Sequence, residues 1–521
     1  MTKEIQLTVS PKQAYDSTFI ISRLRAKAET KDFVIKDFKI IRRSIDARKK
    51  PIKINLGILI SDNETDLRNL YKKRIYKKLN PDAPDIIIVG SGPSGLFAAL
   101  KAIESGIKPI VIERGPDVDS RRKDIANISR EGKILTDSNY CFGEGGAGTF
   151  SDGKLFTRSK KRGNIKEVLE ILHQFGASEE ILISSHPHIG SDKLPGIIKN
   201  IRNKIIECGG EVIFNCKMDE ILCEDGKAIG VKTSDGRLFL GPVFLGIGHS
   251  ARDTYRMLHS KEVKMEPKGL AIGVRLEHPQ ELIDKMQYHS KEGRGKWLPP
   301  AEYSFVTQVD NRGVYTFCMC PGGVIVPAVS SPEELVVNGM SASARAGRWA
   351  NSGFVVEINP EDIDKNKTSS PLKMLELQEN LEKTFSKDAN STLNAAAQRI
   401  PDFLRGKISD TLPPTSYVPG IHPADYNLLF PEFICHRLKK GLEFIGEKSG
   451  DFISEKGLMI GLESRTSSPL RIPRNPETLC HVEIEDLYPM GEGAGYAGGI
   501  ISSAIDGIRC VEAYKDRIKN G

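Results

Sequence analysis

No run in the chain approaches the roughly 18 apolar residues that cross a bilayer. The opening Met1-Thr2-Lys3-Glu4-Ile5 holds no apolar core of an export signal. Neither a membrane span nor secretion is expected. Aromatic residues are scarce, at 7%, with two Trp in 521 residues. The nine cysteines, at 141, 208, 216, 223, 318, 320, 435, 480 and 510, are odd in number and lack the C-x-x-C pairs of a zinc ribbon. That excludes a disulfide framework and points to a reducing, cytoplasmic setting. Hydrophobic residues at 39%, charged residues at 27%, and 48 Gly and 29 Pro without a fixed period exclude a disordered or fibrous chain.

Positive charge is confined as well. The net charge is +7, but residues 1–84 carry 20 Lys+Arg against 10 Asp+Glu, net +10, which leaves the remainder at −3. Within that segment, strand patterns at Ile5–Val9, Phe33–Arg42 and Ile52–Ile60 and a helical pattern at Pro11–Lys27 predict a small α+β module. Asp66–Asn80, with Arg68, Lys72, Lys73, Arg74, Lys77 and Lys78 around Leu70, Tyr71, Ile75 and Tyr76, reads as a basic amphipathic helix. Pro81-Asp82-Ala83-Pro84 ends it and marks a boundary.

Beyond the boundary, buried strands alternate with helices, as in a parallel sheet. From about residue 266 to 440 this gives way to alternating strands at Gly269–Leu276, Tyr303–Val309, Gly313–Cys318, Gly323–Val326 and Phe354–Ile358, with a helix near Pro371–Ser386. The strongest motif is the apolar strand Asp85–Val89 running into Gly90-Ser91-Gly92-Pro93-Ser94-Gly95 and then a helix. Gly90 permits the turn, Gly92 lets the backbone approach a pyrophosphate and Gly95 lets helix and strand pack, while the helix N-terminus offers free N–H groups to phosphate. A second strand, Pro109–Ile112, ends in Glu113, 18 residues after Gly95, where an acid can accept from ribose hydroxyls. The strand-helix-strand-acid context predicts a dinucleotide site.

Two further glycine-rich stretches extend that site. Asn139–Leu155 carries five glycines without helical or strand period, the pattern of a loop lying on a ligand. Leu487–Gly495 is a strand end with Glu492 between glycines, and Gly498-Gly499-Ile500 opens another helix. Val243–Ala251 also fits G-x-G-x-x-A. No acid-ended strand follows on schedule, and Ser250 with Asp253 makes a capping box, so it reads as a strand closing the same unit, with Gly248 at its ligand side.

These strings, GEGGAGTFSDGKL, HPHIGSDKLP, ESRTSSP and YPMGEGAGYAGGI, resemble those of an uncharacterised bacterial family of FAD-dependent dehydrogenases within the two-dinucleotide-binding-domain flavoproteins. The resemblance covers most of residues 85–521. Together with the strand and helix patterns above, it gives the fold class α/β: a Rossmann-like FAD-binding domain, discontinuous over 85–265 and 441–521, an inserted, mostly antiparallel β substrate domain at 266–440, and the small α+β module at 1–84. It also implies FAD gripped by Gly90, Ser91, Gly92, Pro93, Ser94 and Gly95 at the pyrophosphate and by Glu113 at the adenosine ribose. Arg114, Arg121, Arg122 and Met218 would stand beside adenine, and Gly146, Ala147, Thr149 and Ser151 over the phosphates and ribityl chain. Gly491, Glu492, Gly498, Gly499 and Ile500 would lie at the second grip, with Glu492 in place of the Asp usual in broader flavoproteins. That second helix N-terminus would face the pyrimidine edge of the flavin and favour its reduced form.

Catalytic candidates are His249 for proton transfer, Cys318 and Cys320 as a dithiol or nucleophile on one face of a strand, and Arg465 as an anion clamp. His186 and His188 are too few for a metal site, and none is expected. The implied activity is an oxidoreductase passing hydride through flavin to or from a small molecule, with NAD(P)H as a transient donor, no membrane partner and no set oligomeric state. Competing readings are an RNA-associated flavoprotein using the basic module and a flavin-binding protein without turnover.

Overall fold

The computed structural model of the chain describes residues 1–27, 33–63, 67, 70–156, 163–363 and 370–520. In the N-terminal module, Thr2–Val9 and Asp37–Asp46 flank Lys53–Ser61 in an antiparallel sheet, with the Ser17–Lys27 helix against one face. Alternate residues Ile5, Leu7 and Val9 meet Ile54, Leu56, Ile58 and Ile60 and the helical Ile20 and Leu24. That is the period-two against period-3.6 match that buries one face of each element. The middle strand of the sequence begins at Asp37 rather than Phe33.

Residues 70–80 form no helix. Their backbone groups are taken by the neighbouring unit: the Arg74 N–H donates to Gln174 Oε1 (2.8 Å), Gln174 Nε2 donates back to the Arg74 carbonyl (2.9 Å), and the Leu79 N–H donates to the Cys208 carbonyl (2.9 Å). Arg74 pairs with Glu104 (3.0 Å) and Glu167 (2.6 Å), and Tyr76 packs on Phe175. A short helix is marginal by itself, and these contacts hold the segment extended as a strap. Asp66 and Arg68 of the expected helix lie outside the described residues. The module docks through Arg43–Glu180 (3.0 Å) and Lys39–Glu179 (2.6 Å), which occupy part of its positive charge.

The next unit is built on a five-stranded parallel sheet in the order Leu487–Pro489, Val243–Leu245, Asp85–Val89, Lys108–Ile112 and Glu211–Ile213. Ile86, Ile87 and Ile88 are fully buried, as both faces are covered, and each such side chain stabilises by roughly 1.5–3 kcal/mol. The Pro93–Glu104 and Ile500–Asn520 helices pack side by side on one face. Val243–Leu245 pairs with both the first strand and Leu487–Pro489, so the second glycine motif closes this sheet rather than starting another. The expected capping box is absent. Asp253 turns to Arg114 (3.0 Å) and Lys217 (2.7 Å), and the helix begins at Arg252 without a side-chain cap. Met218–Glu224, Lys227–Thr233 and Leu238–Leu240 form a separate antiparallel meander.

The inserted layer is an eight-stranded, mostly antiparallel sheet centred on Leu270–Pro279, Arg312–Pro327, Trp349–Ile358 and Leu458–Glu463. Residues 441–466, expected in the nucleotide-binding unit, belong here. Leu458–Glu463 pairs with both Leu270–Pro279 and Ala395–Arg399, and the Glu432–Lys448 helix packs on the same sheet. Every residue of that strand is buried. A central antiparallel strand covered on both faces has the same unbroken apolar run as a parallel one, which explains the misplaced boundary. Entering and leaving the layer, the chain pairs with itself in a two-stranded ladder, Glu266–Pro267 against Leu470–Arg471. No helix among the described residues is long and apolar enough to cross a membrane.

Gly507 sits where the two packed helices touch. A Cβ there would lie 2.1 Å from the Ser94 carbonyl oxygen. Gly507→Ala is expected to lower stability by about 1–3 kcal/mol through overpacking, read as a fall in Tm; an unchanged Tm would show that the helices are not held this close.

Candidate functional site

A single cleft runs from the carboxyl ends of the parallel strands to the face of the inserted sheet. It encloses about 1550 Å³ of unfilled space, open mouth included. Its position is the usual one for an open parallel sheet, outside the strand ends.

Its first wall is glycine backbone. Gly90, at φ +99°, tolerates no side chain, since a Cβ would come 2.4 Å from the Gly246 carbonyl. At Gly95 a Cβ would reach 1.9 Å from the Gly90 carbonyl, so this glycine sits behind the wall and lets helix and turn pack. At Gly92 the nearest atom to an added Cβ is 4.0 Å away, and the position opens on the cleft. Gly92 is also the N-cap and carries no side-chain cap, which leaves N–H groups of the first helical turn free for an anion.

The Asn139–Leu155 loop forms the opposite lip, and one buried side chain pins it. Arg121 Nε donates to the Asn139 carbonyl (2.9 Å), and its Nη1 donates to the carbonyls of Gly143 (3.1 Å), Glu144 (2.8 Å) and Gly146 (2.8 Å). The guanidinium stacks over Phe150. Glu113 completes the clasp. Its Oε2 accepts from the Ser91 N–H (2.9 Å) and Oγ (2.8 Å), and its Oε1 accepts from the N–H groups of Gly115 (3.0 Å) and Gly143 (3.1 Å). Thr149 Oγ1 donates to the Glu144 carbonyl (3.0 Å).

These contacts revise several expected roles. Arg121 is fully buried and holds the loop rather than adenine, and Arg122 is exposed on the same helix, outside the cleft. Ser91, Gly95, Thr149 and Gly491 support the wall from behind. Glu113 does line the cleft, but four protein donors already occupy its carboxylate, about as many as it can take. Gly90, Gly92, Pro93, Ser94, Arg114, Gly146, Ala147, Ser151, Met218, Gly248, Glu492, Gly498, Gly499 and Ile500 all face the cleft. Arg114 stacks on Phe142 and forks onto Asp253.

At the far end, added Cβ atoms at Gly248, Gly498 and Gly499 would meet nothing within 4 Å. A second helix N-terminus thus opens on the space without side chains in the way. Glu492 stands beside it, its pKa pushed up by burial to about 7, with Lys268 opposing. A cradle of bare glycine backbone and two helix N-termini fits FAD.

The third wall comes from the inserted layer and brings His249, Cys318, Cys320 and Arg465 together at the cleft. Their states differ from those expected. Burial and two nearby arginines hold His249 down at about 4, so it is neutral at physiological pH, with Nδ1 2.9 Å from Ser250 Oγ. Burial pushes the Cys320 thiol up to about 11; Cys318 shifts in the same direction from the protein packed around it, though its side chain is exposed to the cleft. The two cysteines do not share one face of a regular strand: a bulge between Phe317 and Cys320 places Cys318 at φ +47° and re-aims it. Arg465 clamps the protein's own acids, Glu334 (2.5 Å) and Glu382 (2.8 Å), and Arg252 joins the same two carboxylates. Its other nitrogen, Nη1, lies 2.7 Å from Ser330 Oγ and 3.1 Å from Cys141 Sγ. Cys141, Phe142, Asp152, Lys154, Phe317, Asn338 and Thr466 also line the cleft and were not singled out from sequence. Cys141, Phe142, Asp152 and Lys154 sit inside the glycine-rich loop, which was the available signal; Asn338 and Thr466 had none.

Residues 269–466 match the family model "FAD-dependent protein, C-terminal domain-like", residues 85–124 match "FAD binding domain", and residues 1–61 match a domain of unknown function. An uncharacterized protein of Clostridium beijerinckii is 41% identical over 491 residues, 91% of each chain. Protein FixC of Escherichia coli K12 is 24% identical over 223 residues, 41% of this chain and 48% of FixC. Among solved structures, a geranylgeranyl bacteriochlorophyll reductase-like protein from Thermoplasma acidophilum aligns over 84% of this chain and 79% of its own, at 13% identity and a TM-score of 0.35.

Removing the clasp leaves buried carbonyls unpaired, at about 1–3 kcal/mol each. Arg121→Met is therefore expected to release FAD on gel filtration, and Arg121→Lys, lacking the planar fork, to restore little; full FAD content in Arg121→Met would refute the pinning role. Glu492 has a folded pKa above the roughly 4.3 of an unfolded chain. Its contribution to stability is full below that value and is lost as pH rises through about 7. The Tm of apoprotein is expected to fall between pH 5 and 8, with Glu492→Gln falling less steeply across the same range.

Proposed function

This chain belongs to the same family as its Clostridium beijerinckii relative, a family of FAD-dependent oxidoreductases, and from that premise we propose that it oxidises or reduces a small molecule by hydride transfer in the cleft between the parallel and inserted sheets. The observation that carries the reading is the glycine-walled cleft: two helix N-termini open on it from remote parts of the chain, and the inserted layer roofs it. Bound FAD would supply two-electron redox chemistry there.

The chain's own residues have supporting roles. Backbone at Gly92–Ser94 and Gly146–Gly148 would hold the diphosphate, and the Gly498–Ile500 helix start would place partial positive charge at the flavin end. Glu492, poised near neutrality, can hold or accept a proton beside that end. His249 is held toward its neutral form and hydrogen-bonds Ser250, and both thiols are shifted toward their protonated form, which favours substrate binding over nucleophilic attack as their work. The inserted layer would cover the side where substrate approaches. No second dinucleotide motif serves a nicotinamide, so NAD(P)H as donor would enter the same cleft.

Anaerobic titration of the purified protein with NADPH and then NADH is the test. The expected result is bound FAD, identified by mass spectrometry after release, that bleaches with at least one donor. Bound FAD unreduced by either would overturn the nicotinamide link, and protein retaining no FAD would overturn the enzyme reading itself.

A further inference from the structure

Among the described residues, four cationic side chains line the cleft: Arg114, Lys154, Lys217 and Arg465. Three already have carboxylate partners, Arg114 with Asp137 and Asp253, Lys217 with Asp253, and Arg465 with Glu334 and Glu382. Lys154 is different. Its Nζ is screened from water and has no hydrogen-bond partner among the described residues.

The acids around it take their hydrogen bonds from other groups, although the Lys154 charge still bears on Glu302 and Glu463. Both oxygens of Asp152 take the Arg345 fork (3.2 and 2.6 Å). Glu302 takes Arg345 (2.6 Å) and His186 (3.0 Å), and Glu463 takes Arg275 with both oxygens (2.8 and 2.9 Å). An ammonium with three unmet donors is among the least favourable groups a fold can bury, and it is kept where a ligand completes it.

Its place in the cleft separates it from the cofactor's diphosphate, whose cradle is backbone at Gly92 and Gly146–Gly148. Lys154 lies instead on the side of the inserted layer, where its charge bears on the thiols of Cys318 and Cys320. One ammonium with unmet donors suits one carboxylate; a dianion would leave a second charge without a donor in a low-dielectric wall.

Resting on the flavoenzyme reading above, we propose that Lys154 anchors the carboxylate of the substrate, which is a small organic monoacid. Its ammonium donates charge-assisted hydrogen bonds to the carboxylate oxygens, while the rest of the molecule extends along the wall formed by Phe317, Cys318 and Asn338 toward the flavin end.

Calorimetric titration with benzoate and its neutral analogue benzamide tests this on the FAD-loaded protein. Benzoate is expected to bind at least tenfold tighter than benzamide. Lys154→Met is expected to lose at least tenfold in benzoate affinity while its FAD content and flavin midpoint potential stay at wild-type values, with Lys154→Arg retaining most of the affinity. Equal binding of the two probes, no benzoate binding to FAD-loaded wild type, or undiminished binding in Lys154→Met would overturn the proposal. So would a shifted flavin potential in Lys154→Met, which would assign the ammonium to the cofactor. Should Lys154→Met fail to fold, the benzoate and benzamide comparison on wild type still decides. Protein that retains no FAD would count against the enzyme reading alone; benzoate binding to it that Lys154→Met abolishes would still support the anion anchor.

Discussion

The cleft depends on tying down backbone that has almost no side chains of its own. Glycine loses more conformational freedom on folding than any other residue, so a wall of glycines keeps its shape only if something outside it fixes the carbonyls and N–H groups. Arg121 and Glu113 do this from opposite directions, the guanidinium collecting carbonyls of the loop and the carboxylate collecting N–H groups from the loop and from the G-x-G turn. Together they join a loop and a strand end into one surface. Because both are buried and charged, neither tolerates loss of its partners, and the glycine wall inherits that rigidity.

A second buried network fixes the inserted layer against the nucleotide-binding sheet. Arg252, at the start of the helix after Val243–Leu245, shares Glu334 and Glu382 with Arg465 of the inserted layer. Buried ion pairs add little net stability, since desolvation offsets most of their attraction, but they demand a particular geometry. Here that geometry brings Ser250 and Cys141 to the same guanidinium. Arg465 looks like a ligand clamp in sequence and is a structural one in space, because its acids lie more than 80 residues upstream and no local pattern announces them.

What could be read from residue order was whatever is local. Strand-turn-helix spacing around Gly90–Gly95, the glycine density of 139–155 and the helix after Gly498 are properties of short windows, and each of these stretches lines the cleft. The reading failed where distant partners compete with local preference. Residues 70–80 have helical spacing but give their backbone bonds to Gln174 and Cys208, Ser250 and Asp253 have capping spacing but Asp253 goes to Arg114, and Leu458–Glu463 has the apolar run of either sheet. The unpaired state of Lys154 was equally illegible, since it exists only after every neighbouring acid has been assigned.

The two-stranded ladder of Glu266–Pro267 and Leu470–Arg471 carries one more implication. The outgoing and returning strands at this junction run side by side, so nearby chain connects the roof to the floor along a single line. Away from that line the roof is held as well, by the Arg345–Asp152 pair (2.6 Å) and by Val326, Val329 and Val336 packed among Ile128, Tyr140 and Phe150. A bulky guest arriving at the edge far from this crossing would therefore have to part those contacts before any strand had to break its register.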